Sequence, residues 1–188
     1  MRTALIATTL ALAALSSAHA DTLPTDGSWA GFTVDANLPP YGFGWVADDG
    51  TPLSFNITID PGFVGRLTVV DTGFSGDRFH VYDGGQLIGS TGASVNGDTR
   101  GDITFDPDAA LANPAFSRGS FTLGAGTHAI TGALFQSAID VDYGPLNATI
   151  GGLKLTVSPV PEPATAALLL IGLGLLLGAL RRRNDNNS

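Results

Sequence analysis

The chain has 188 residues, 17 of them acidic and nine basic, and it carries no cysteine. Disulfides are thereby excluded as the means of holding an exported domain together, which leaves packing or a bound cation. Between residues 21 and 160 there are 15 aspartates against four arginines and Lys154, a formal charge of −10; such a surface repels phosphate backbones and excludes nucleic acid as a partner.

The first segment, MRTALIATTLALAALSSAHA, places Arg2 ahead of an uncharged stretch from Ala4 to Leu15 and ends on Ala18-His19-Ala20. A positive start, a short apolar run and a small-x-small site predict a signal peptide over residues 1–20, cleaved after Ala20. As a helix the apolar stretch reaches only about 18 Å, short of the ~30 Å hydrocarbon core that a permanent span must cross.

Residues 21–159 predict a single exported all-β domain. In LSFNITID, Leu53, Phe55, Ile57 and Ile59 alternate with Ser54, Asn56 and Thr58, the period of a half-buried strand. The alternation returns in RFHVYD through Phe79 and Val81, and in GLKLTV through Leu153, Leu155 and Val157. Further strands are expected over 29–35, 63–70, 86–90, 119–123 and 127–134, separated by turn signals such as DDG, DPG, DGG and NGD. Eight or so short strands so punctuated predict an antiparallel β-sandwich, jelly-roll-like in character. One interruption, FDPDAALANPAF, reads as a helical turn within a crossover: Asp106 suits the cap, Pro107 the first helical position, and Pro114 stops it.

The chemistry-bearing residues are few. Without cysteine or a Gly-x-Ser-x-Gly elbow, and with only His80 and His128 left after signal cleavage, no nucleophile-and-base constellation is visible, and the expected function is not enzymatic. His80 lies between Phe79 and Val81 and should face outward. Calcium takes hard oxygen ligands from carboxylates and loop carbonyls, and Asp71 and Asp77, which flank the loop TGFSG, are the candidate contributors to a structural calcium site. Trp29, Tyr41, Trp45 and Tyr82 are candidates for stacking on sugar rings, with core packing as the competing role for the tryptophans.

The tail, residues 160–188, is the most specific stretch. Val160-Pro161-Glu162-Pro163 can enter neither a helix interior nor a sheet ladder, so it should stay extended and exposed. Seventeen uncharged residues follow from Ala164 to Leu180, with eight leucines and Ile171, and predict a short transmembrane helix of about 25 Å. Arg181, Arg182 and Arg183, in the basic segment 181–188, should remain on the cytoplasmic side, leaving the domain outside.

This order of motif, short helix and arginine cluster resembles the PEP-CTERM sorting signal of exported bacterial proteins. The resemblance implies recognition by an exosortase, a membrane-embedded cysteine protease or transpeptidase that removes the tail and releases or transfers the mature protein to the cell exterior. The stretches GDRFHVYDGGQLIGST (76–91) and FSRGSFTLGAGTHAITG (116–132) also look like the β-rich domains common in such proteins, which supports the sandwich and implies no activity. The expected protein is therefore first membrane-anchored with its domain outside, then delivered to the surface or extracellular matrix in a structural or adhesive role. The alternative is a carbohydrate-binding module, calcium-dependent if Asp71 and Asp77 bind the ion, with extracellular polysaccharide as its partner. A glycan-acting hydrolase would need two carboxylates across a cleft, and no pair in the sequence can be placed so.

Overall fold

The computed structural model describes residues 19–37, 42–94, 100–160 and 172–173. Alternation in the sequence becomes alternation in burial. In β3 (Leu53–Ile59), Leu53, Phe55, Ile57 and Ile59 are each 4% exposed or less, while Asn56 and Thr58 face solvent. One face of each such strand buries apolar side chains at about 1.5–3 kcal/mol apiece, which is what drives two sheets together.

The first sheet runs β1 (His19–Thr22), β3, β9 (Gly126–Gln136), β5 (Arg78–Asp83) and β6 (Gln86–Ser90). The second runs β2 (Ala30–Asp35), β12 (Ala148–Pro159) and β4 (Phe63–Phe74), whose free edge is taken by β8 (Arg118–Leu123) and then β7 (Ile103–Thr104). All these pairs are antiparallel except β1 with β3. A two-residue ladder of β10 (Ile139–Asp140) and β11 (Gly144–Pro145) stands between β9 and β12.

The core is one cluster fed by both sheets, from Leu23 and Phe32 through Phe55, Ile57, Leu67, Val69, Phe79 and Ile130 to Leu153 and Leu155. Two glycines make room at its centre: a Cβ on Gly132 would collide with the Trp45 indole, and one on Gly151 with the Phe32 ring. In β4 the alternation fails, and Val69 to Gly73 are buried without a break. The cause is α1 (Pro107–Ala112), which covers the outer side of this strand: Val70, Ala110 and Phe116 form a second small cluster, with Trp29, Leu111 and Ala115 packed on it. As expected, Asp106 caps α1, its side chain accepting from the N–H groups of Asp108 and Ala109, and Pro107 opens the helix.

Two expectations meet a different outcome. Trp45, a candidate sugar-stacking residue, is 2% exposed; the expectation is corrected, because its ring faces are used inside the core. Strand β4 extends to Phe74, four residues beyond the expected end at Val70, so it takes in Asp71 and the first three residues of the expected loop TGFSG. The edge strand β1 includes His19 and Ala20, which the sequence assigns to the signal peptide, and all four of its residues are exposed. No helix of the described residues is long and apolar enough to cross a membrane. The expected span, 164–180, lies outside them except for Gly172 and Leu173, which are helical.

Candidate functional site

Strand β12 runs from Ala148 to Pro159 and is paired on both sides, by β2 along its first half and by β4 along nearly its whole length. Its last bond is made just beyond it, where the Val160 N–H donates to the Gly62 carbonyl at 2.8 Å. Strand β12 thus ends at the residue before Val160, where the expected sorting segment begins. The opposite end, about 36 Å away at a rise of about 3.3 Å per residue, gathers the start of β12, the end of β4, β7 and the β10–β11 hairpin.

At that far end two aspartates meet from opposite sheets. Asp71 has the parity of Leu67 and Val69, so it points inward from β4 into the gap between the sheets. Asp77 precedes β5 and is placed inward in the same way as Phe79 and Val81. Their exposures are 0% and 1%. The Asp71 Oδ2 accepts from the N–H groups of Gly76 and Asp77, both at 3.3 Å, which closes the loop between them. Its Oδ1 has no hydrogen-bond partner. Burial, and then the negative charge of Asp77, push the Asp71 acid up to about 9. Burial also raises Asp77, with the Ala138 N–H and the nearby Thr149 and Ser137 hydroxyls pulling the other way. The Asp77 Oδ1 accepts from the Ala138 N–H at 2.8 Å and so grips the base of the β10–β11 hairpin.

The cation next to Asp77 in sequence, Arg78, is directed elsewhere: to the carbonyls of Gly92 and Thr91, to the Gln136 side chain, and over the Phe135 ring at 4.8 Å. Beside Asp77 a cleft of about 270 Å³ opens among Val34, Phe74, Phe105 and Ile150. Toward this end several large apolar side chains are exposed, Tyr143 at 90%, Phe105 at 70%, and Ile103, Ile139 and Val141 each about half, interleaved with Asp102, Asp106, Asp140 and Asp142.

The other candidate residues are scattered. Trp29 is half-buried beside α1; its indole N–H donates to Asp108 at 3.0 Å, and the Lys154 ammonium lies 4.2 Å over its ring, bridging to the same carboxylate. Tyr82 lies on the outer face of the other sheet, and Tyr41 falls outside the described residues. With Trp45 in the core, the described candidates Trp29 and Tyr82 share no platform. What the fold does assemble is a pairing not anticipated: His80 stacks on Phe135, centroids 4.1 Å apart, with its Nδ1 2.7 Å from the Ser90 hydroxyl. The signal was present in GALFQ, where an inward Leu134 forces Phe135 outward. His128 is joined to the Asp83 carboxylate at 2.7 Å and to the Gly124 carbonyl at 3.0 Å.

Among the described residues no group of three or more His, Cys, Asp or Glu side chains is arranged to hold a metal, so a cation at Asp71 and Asp77 would rely on hydroxyl, carbonyl or water oxygens for its other ligands. Of the sorting motif, Val160 is described and half exposed; Pro161, Glu162, Pro163 and Arg181, Arg182 and Arg183 lie outside the described residues.

No curated protein and no solved structure matches the chain. A family model does match over residues 159–183, and it is that of the PEP-CTERM protein-sorting motif. It begins on the last residue of β12, where the folded domain gives way to the tail. The chain carries a PEP-CTERM sorting motif, which marks it as an exported protein sorted by an exosortase.

Proposed function

We propose that the exported sandwich is a non-enzymatic structural or adhesive module of the cell surface or extracellular matrix, which makes its contacts through the end opposite the sorting tail. On this reading the tail first anchors the protein with the domain outside, and the exosortase then cuts near Pro161 to Pro163. The observation that carries it is the unbroken β12, which separates the tether from the exposed Phe105, Ile139, Val141 and Tyr143 by the length of the domain. Exposed apolar groups gathered on one surface of a domain mark an interaction site more often than an accident of composition. The test is to replace Val141 and Tyr143 with serine together and to measure how much protein stays in the surface or matrix fraction. Retention should fall with the melting temperature unchanged; unchanged retention would contradict the reading, as would turnover of glycans or esters by the purified protein.

A second reading, contact with extracellular polysaccharide, is favoured by the outer face of the first sheet, where Tyr82 lies 6.3 Å from His80 and the His80–Phe135 stack continues the row. Tyr82→Ala with Phe135→Ala should then abolish retardation on polysaccharide gels and leave folding intact.

A further inference from the structure

We infer that Asp71 and Asp77 together hold a divalent cation, calcium by the chemistry of the donors, between the two sheets at the end remote from the sorting tail. The inference does not depend on what that end contacts. Its first support is the Asp71 Oδ1: the residue is fully buried, its strand parity aims the carboxylate into the gap between the sheets, and this oxygen has no hydrogen-bond partner. Burying a carboxylate oxygen without a partner is among the costlier arrangements a fold can keep, and native structures rarely keep it without a bound group.

The second support is independent. Asp77 is 1% exposed and stands immediately before β5 of the opposite sheet, yet it is set against Asp71, and its own N–H donates to that carboxylate. Two buried carboxylates in one gap repel unless a proton or a cation lies between them. Arg78 is next in sequence, but it is bonded to Gly92, Thr91 and Gln136 and supplies no charge here. The neighbouring groups are hard oxygens, with the Ser137 and Thr149 hydroxyls close to Asp77 and no cysteine in the chain. Such a set suits calcium, which accepts a variable number of oxygen ligands including carbonyls and water, and it is a poor one for zinc. A bound ion would tie β4 to the start of β5 across the core and, through the Asp77–Ala138 bond, fix the base of the β10–β11 hairpin.

The test uses the full chain, purified in detergent and stripped with chelator, titrated calorimetrically with calcium chloride and in parallel with magnesium chloride. The expected result is one calcium per chain, a higher melting temperature with calcium, and slower hydrogen exchange at the Ala138 amide. In the nearly isosteric Asp71→Asn chain, calcium affinity should fall at least tenfold. No heat of binding from wild-type protein at millimolar calcium would overturn the inference and leave a shared proton as the neutralising partner. That alternative carries its own mark, an Asp71→Asn chain at least as stable as wild type at every calcium concentration. An equal response to magnesium would overturn the assignment to calcium.

Discussion

Trp45 lies flat on Phe32, ring centroids 4.0 Å apart and planes 17° from parallel, while Phe79 meets both rings edge-on. The pair fills the space left by Gly132 and Gly151, so four residues from β2, β9, β12 and the segment before β3 form one packed unit. Trp45→Ala should therefore cost about 3–5 kcal/mol of stability, as for other large core aromatics. Gly132→Ala should also destabilise, because the indole has no room to withdraw. Urea unfolding measures both. A Trp45→Ala chain of native stability that had lost polysaccharide retention would restore Trp45 as a ligand-stacking residue.

The His128–Asp83 pair gives the protein a pH-dependent component of stability. Burial works against the charged ring, but the Asp83 carboxylate and the Gly124 carbonyl outweigh it and raise the His128 pKa above its ordinary value. A histidine raised on folding stabilises most when charged in both states, so the contribution is full below the unfolded value of about 6.5. It is lost as pH rises through the higher folded value. Melting temperatures of wild type and His128→Gln should differ most near pH 5–6, by an amount corresponding to about 1 kcal/mol, and converge in alkali. A gap that widened with pH would contradict the assignment.

Helix α1 depends on its cap and on its cover. Six residues are too few for a helix to persist unaided, so Asp106 and the Ala110–Phe116–Val70 cluster must hold it. Asp106→Ala should cost about 1 kcal/mol, and Phe116→Ala more, about 3 kcal/mol or above. Both should speed hydrogen exchange along the outer side of β4, which is measurable residue by residue.

Because β12 ends at Pro159 and the Val160 N–H still bonds to Gly62, a chain stopped after Val160 keeps every pair of that strand. It should melt at the temperature of the processed protein. A chain stopped before Ala148 loses the strand that joins β2 to β4 and should not fold, as circular dichroism would record.

Much of this was legible in the sequence, and the reasons are specific. Strict alternation located β3, β5 and the second half of β12, because each has one face in the core and one in water. It lost the end of β4, where α1 buries the outward Val70 and the inward positions are taken by Asp71 and Gly73 in place of apolar side chains. The two-residue strands β7, β10 and β11 are too short to carry a period. Asp71 and Asp77 are marked in the sequence by residue type alone, whereas their burial and the unpartnered Asp71 Oδ1 depend on two sheets closing over them. Trp45 could not be read, since an aromatic in a Gly-rich loop looks alike whether it faces a sugar or the core. The sorting motif was legible because residue types in a fixed order along the chain define it, and no fold is needed to bring them together.

The most direct test of the account is the intact mass of the protein recovered from outside its native cells, compared between cells with and without the exosortase. The expected result is a mass ending near Pro161 to Pro163 that depends on the enzyme. A mass that retains Arg181, Arg182 and Arg183 in both cells would contradict it, and the tail would then be a permanent anchor.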